Sequence, residues 1–111
     1  MPSEQTKPMP WWGWVTAAFA GAFLVNSVPH TVMGLTGQQF PTPFSGGPPN
    51  LSPAVVNVLW GLFNLAVGIW LYRLTAKWME NRAVFAVFIL AGVGFAVMLA
   101  YAFSSMSAPA A

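Results

Sequence analysis

The amino-acid sequence predicts an all-α membrane protein with three transmembrane helices. Of its 111 residues, 57% are hydrophobic and only 5% are charged, whereas a typical soluble domain carries about 25% charged residues. A chain this short has a large surface for its volume, and this one has too few polar groups to cover that surface in water. The apolar residues also fall into three stretches, each about as long as a membrane-spanning helix. We therefore expect residues 1–111 to form a single integral membrane domain.

The first predicted span covers residues 11–28 and follows a polar lead-in that contains three prolines. A helix over this range would rise about 27 Å, close to the roughly 30 Å hydrocarbon core of a bilayer. Three tryptophans stand at its start, where indole rings favour the boundary between membrane and water. Pro29 lacks an N–H and its ring clashes with the carbonyl of Val25, so we expect the helix to end or kink there. The alternative is a short continuation through Met33, with Gly34 as a left-handed cap.

The second and third predicted spans cover residues 54–72 and 83–103, and a short charged connection, residues 73–82, joins them. Ser52 followed by Pro53 is typical of a helix start, with the serine as N-cap. Three of the four Lys and Arg residues lie in the connection, and the fourth precedes the first span. Because positive residues favour the cytoplasmic side, we expect a multi-pass protein of the bacterial inner (plasma) membrane, with its N-terminus cytoplasmic and its C-terminus outside.

The loop between the first two spans, residues 36–52, is rich in Pro and Gly and contains no Asp, Glu, Lys or Arg. A loop of this length in a small helical protein is usually functional or disordered. Phe40 and Phe44 argue against disorder, because disordered segments are poor in aromatic residues. We expect an ordered outer loop, with Phe40 or Phe44 anchored against the helix ends or against a partner.

The second span carries two asparagines and two glycines on one helix face: Asn57, Gly61, Asn64 and Gly68. Steps of four, three and four residues add up to about three helical turns, so the four positions stay in register. In lipid, helices associate through close backbone approach and interhelical hydrogen bonds, which glycine and asparagine respectively supply. We predict that this is the principal helix-packing face, toward the protein's own helices or a partner. Alternatively, Asn57 and Asn64 face a transport pathway.

His30 is the only histidine and directly follows Pro29. It could anchor the loop through a hydrogen bond, or it could ligate a pigment or bind a quinone. Trp60 adjoins the packing face of the second span, and we interpret it as a packing residue rather than a cofactor platform. A metal site needs several nitrogen, oxygen or sulfur ligands, whereas the sequence has one histidine, no cysteine and no aspartate. We therefore predict no metal site and no cofactor, with a pigment or quinone contact as the alternative.

The composition also bears on function. Glu4 and Glu80 both lie in predicted cytoplasmic segments, so no carboxylate pair can be assembled in the membrane, and we expect no enzymatic activity. Four basic residues are too few for a nucleic-acid-binding surface. We expect a small accessory or structural subunit that packs, among membrane lipids, against a larger complex such as a respiratory or photosynthetic one. Two alternatives stay open: a homo-oligomeric channel or carrier with Asn57 and Asn64 on its pathway, and a pigment- or quinone-binding protein that uses His30.

Overall fold

The computed structural model describes residues 8–104 and 106, and it is built around three long α-helices. These are α1 (Trp11–Leu35), α2 (Ala54–Thr75) and α3 (Arg82–Ser104). Short 3-10 helices lie in the two connections, at Pro43–Ser45 and Ala76–Trp78. Each of the three long helices is long and apolar enough to cross a membrane, which confirms the predicted class of a helical protein with three candidate spans.

The central element is α1, which packs along both of the other helices. Within the described part of the chain, α2 and α3 make no comparable packing with each other, although the rings of Tyr72 and Phe88 approach to 5.2 Å between centroids. Small residues allow α1 and α3 to come close. A Cβ added to Gly21 would collide with the carbonyl oxygen of Phe88, and one added to Gly92 would lie 3.4 Å from the carbonyl oxygen of Gly21. The three-helix assembly is therefore held together by α1.

α1 extends farther than the predicted span of residues 11–28, and Gly34 lies inside the helix rather than capping it. The helix continues through Pro29 to Leu35. A proline inside a helix costs about 3 kcal/mol in water, but membrane helices tolerate it where neighbouring elements compensate. Here the extra turns bury His30 and Gly34, and a Cβ on Gly34 would lie 2.6 Å from the carbonyl oxygen of Ala54. Packing of the extra turns against α2 thus outweighs the local cost of the proline.

The start of α2 also differs from the expectation. The helix begins at Ala54, its N-cap residue is Pro53, and no side chain caps its backbone. The predicted capping role of Ser52 is wrong, because the Ser52 hydroxyl lies 2.6 Å from the Thr42 hydroxyl in the loop. At its other end α2 runs to Thr75, three residues beyond the predicted limit at residue 72.

The close approach of α1 and α2 generates a prediction at Gly61. A Cβ there would collide with the Thr31 hydroxyl and lie 2.7 Å from the Thr31 backbone nitrogen. Gly61→Leu should therefore lower the free energy of unfolding by about 1–3 kcal/mol or more, since rigid backbone must move. The measurement is unfolding of the purified protein in mixed detergent micelles, followed by circular dichroism.

Gly94→Leu is the matched control for this prediction. Gly94 lies on α3, and an added Cβ there meets no atom within 4 Å. We expect it to change the free energy of unfolding by no more than about 0.5 kcal/mol. Equal losses of stability in the two variants would show that the Gly61 approach is not what holds α1 and α2 together.

Candidate functional site

The side-chain amide of Asn57 lies at the centre of the candidate site, fully buried on α2. Its oxygen lies 2.9 Å from Nδ1 of His30, which α1 positions at 3% exposure. Its nitrogen donates to the carbonyl oxygens of Phe40 at 2.9 Å, Ser52 at 3.1 Å and Pro53 at 3.2 Å. One amide thus joins two helices and both arms of the loop.

These contacts fix both the amide orientation and the imidazole tautomer. Carbonyl oxygens can only accept hydrogen bonds, so the amide nitrogen of Asn57 must face the three of them, and its oxygen must face His30. That oxygen also only accepts, so Nδ1 of His30 carries the proton and donates it. In the neutral imidazole the lone pair is then on Nε2.

A second polar pair joins the same two helices about two turns farther along. Nδ2 of Asn26, on α1, donates to Oδ1 of Asn64 at 3.0 Å. The nitrogen of Asn64 donates in turn to the carbonyl oxygen of Trp60, one turn earlier in α2, at 2.7 Å. Asn64 is 1% exposed, so its amide is both buried and paired within the chain.

The two glycines of the predicted face lie at the same contact. Gly61 faces Thr31, and a Cβ on Gly68 would lie 3.0 Å from the backbone nitrogen of Leu24. The structure therefore places all four residues against α1. The sequence alone left open whether this face packs on the protein's own helices or on a partner. All four are buried: Asn57, Gly61, Asn64 and Gly68.

The loop folds over this end of the helices through its own hydrogen bonds. Phe40 and Ser52 form an antiparallel bridge. The distance from the Phe40 nitrogen to the Ser52 carbonyl oxygen is 3.3 Å, and that from the Ser52 nitrogen to the Phe40 carbonyl oxygen is 2.9 Å. Thr42 caps the short 3-10 helix Pro43–Ser45, because its hydroxyl accepts from the backbone N–H of Phe44 at 3.1 Å.

The two loop phenylalanines differ in their surroundings. The Phe40 ring is half-buried, with its centroid 4.7 Å from that of Phe103 on α3 and 5.4 Å from that of His30. The Phe44 ring meets the edge of Trp60 at 5.4 Å but is 70% exposed. Phe40 is therefore the loop aromatic that lies among the helix ends.

A cavity of about 260 Å³ lies beneath the loop, where the loop meets all three helices. Its walls include Asn26, His30, Thr42, Pro43, Trp60 and Phe103. Trp60 also lines an apolar groove of about 470 Å³ along α2, together with Phe44, Leu59 and Phe63. The indole N–H of Trp60 is buried and has no hydrogen-bond partner among the described residues.

Sequence reasoning identified His30 and Trp60 but missed Asn26, Thr42 and Phe103. Asn26 did leave a signal, since it is the only side-chain amide in the first predicted span. Its distance from Asn64 along the chain, 38 residues, gave no sign of their pairing. Phe103 left no signal, because it is one of nine phenylalanines and only the fold places it beside the loop.

The chemistry that the site supports is hydrogen bonding and aromatic contact. Across residues 8–104 and 106 there is no group of three or more His, Cys, Asp or Glu side chains that could hold a metal ion. What the site offers is one imidazole nitrogen, the half-buried amide of Asn26 and a cavity whose apolar walls come from Trp60, Phe103 and three loop prolines. Such walls with a few polar groups are typical of sites for small apolar ligands.

The hydrogen bonds of Asn57 generate a second prediction, on the loop. Asn57→Leu removes the donors to Phe40 and Ser52, so residues 38–50 should open more often. We expect cleavage by chymotrypsin after Phe44, the one aromatic residue of this range that proline does not follow, to rise about tenfold, which corresponds to about 1.4 kcal/mol. The measurement is limited proteolysis of the purified protein in lipid nanodiscs, with cleavage sites mapped by mass spectrometry.

Asn64→Leu is the control on the same helix face, since Asn64 makes no hydrogen bond to the loop. It should weaken the helix pair by about 1 kcal/mol while loop cleavage stays at the wild-type rate. Rapid cleavage of the wild-type loop after Phe44, or the same increase in both variants, would contradict the role given to Asn57.

Comparison of this chain with protein-family models, with curated proteins and with solved structures finds no match in any of the three.

Proposed function

We propose that the protein is a small accessory subunit that packs against a larger complex in a bacterial inner membrane. The observation that carries the proposal is the one-sided packing of the helices. Because α2 and α3 each pack on α1 rather than on each other, both present large apolar side chains outward. On α3 these include Leu90 at 66%, Val97 at 65% and Tyr101 at 85% exposure. Such surfaces need lipid or other membrane helices beside them.

The pairing of the buried amides favours this role over that of a channel or carrier. A transport pathway needs polar groups that face open space, whereas Asn57 and Asn64 are 0% and 1% exposed. Their hydrogen bonds go to α1, to the loop and to their own helix. Both asparagines can thus be explained as internal helix-packing residues.

The proposed orientation places the loop outside and the connection between α2 and α3 in the cytoplasm. The ring centroids of Trp12, at the start of α1, and Trp78, in the connection, are 5.7 Å apart. The start of α1 and the connection therefore belong to one end of the assembly, and the loop belongs to the other. Since the basic residues gather at the connection, the positive-inside rule favours a cytoplasmic location for that end.

Single cysteines test this orientation. The sequence has no cysteine, so a substituted one is the only thiol. Gln39 in the loop and Ala76 in the connection are both exposed. In intact cells, Gln39→Cys should react with a membrane-impermeant maleimide, and Ala76→Cys should react only after the membrane is opened. The reverse pattern of labelling would invert the orientation.

Native purification tests the accessory role. The tagged chain, expressed at its native level, should co-purify from a mild detergent extract with other membrane proteins in a fixed stoichiometry. Blue-native electrophoresis and mass spectrometry of the eluate make the measurement, and a second membrane protein with the same tag and abundance is the control. Recovery of a homo-oligomer alone would contradict the proposal and support the channel or carrier.

A further inference from the structure

We propose that the cavity beneath the loop binds a lipid-soluble molecule that carries a phenolic hydroxyl on a single ring, and that His30 accepts the hydrogen bond from this hydroxyl. The cavity has a volume of about 260 Å³, and α1, α2, α3 and the loop all contribute to its walls. This binding site goes beyond the accessory role, which does not require a ligand.

The state of His30 defines which polar group the ligand presents. Nδ1 donates to Asn57, so Nε2 is the ring nitrogen that remains for a ligand in the cavity that His30 lines. In the neutral imidazole Nε2 accepts hydrogen bonds and cannot donate them. A hydroxyl group can donate to it. The carbonyl group of a quinone cannot, because a carbonyl oxygen only accepts.

Trp60 supplies an aromatic contact beside His30. Its ring meets the His30 ring edge-on, with centroids 6.4 Å apart, and both residues line the cavity. A ligand ring next to the imidazole would therefore lie against the indole, and aromatic rings favour such contacts.

The size and the walls of the cavity suit a single aromatic ring. A cavity of about 150 Å³ in another protein holds one benzene ring, so about 260 Å³ accommodates one substituted ring. Phe103 and Trp60 are aromatic residues of the kind that pack against aromatic ligands.

The neighbouring groove accommodates an apolar tail. Its volume is about 470 Å³, and it shares Trp60 with the cavity. Leu59 and Phe63, which also line it, are 64% and 55% exposed on the outer face of α2. A ligand whose ring sits beside His30 could therefore extend an alkyl chain past Trp60 into the lipid-facing groove. The ligand class is a phenol or hydroquinone with an alkyl or prenyl tail.

The test compares two probes that differ only at the hydroxyl, 4-decylphenol and its methyl ether 4-decylanisole. The wild-type protein is placed in phosphatidylcholine nanodiscs that contain either probe at the same mole fraction. Native mass spectrometry then counts probe molecules per protein, with empty nanodiscs as the baseline. We expect the phenol to be retained about fivefold more than the ether, the effect of one net hydrogen bond. Equal retention would overturn the assignment of the hydroxyl, and retention of neither probe would overturn the site.

Variants locate the binding in the cavity. His30→Phe should remove the preference for the phenol over the ether. Because this change also breaks the bond to Asn57, Phe103→Leu provides a test outside the α1–α2 contact. It removes an aromatic ring from the cavity wall and should lower phenol retention about fivefold. Tyr101→Leu, on the exposed surface of the same helix end, should leave retention unchanged. Wild-type retention in Phe103→Leu would overturn the location.

Discussion

A primary amide buried in a membrane helix needs a hydrogen-bond partner within the protein for each of its polar atoms, because lipid tails offer none and water is excluded. At Asn57 this requirement is met by a histidine from α1 and by carbonyl groups from both arms of the loop and from the start of α2. The spacing of α1 and α2, the course of the loop and the tautomer of His30 all follow from these bonds. The cavity depends on them too, since its walls are the segments that the amide brings together.

The glycines and the amides of α2 depend on each other. Gly61 and Gly68 let the backbone of α1 come within a few ångströms, which leaves no room for a side chain between the helices. At that separation the amides of Asn57 and Asn64 reach their partners on α1. In a bilayer the apolar exterior gives little preference for one helix contact over another. The specificity of the α1–α2 contact therefore comes from this combination of small and polar residues on one face.

The sequence was informative where structure follows from local periodicity. Composition and the length of the apolar stretches predicted three spans. The spacing of residues 57, 61, 64 and 68 predicted that these four residues share one face of α2, because helical periodicity is a property of the segment itself. The partners were not predictable in this way. His30 and Asn57 are 27 residues apart in the chain, and Asn26 and Asn64 are 38 apart. The extent of α1 beyond Pro29 was unpredictable for the same reason, since the effect of a proline is local and the contacts of the following turns with α2 are not.

The three long helices are candidate membrane spans, and the distribution of polar residues among them bears on how such a chain would enter a bilayer during biogenesis. α1 is the least apolar of the three spans, and it carries Asn26 and His30. Inserted alone it would expose both to hydrocarbon, which is costly, whereas α2 brings the matching asparagines. The helical hairpin of α1, loop and α2 is thus the smallest unit that a translocon could release into lipid with its polar groups paired. α3, the most apolar span, has no such requirement and can follow as a single helix.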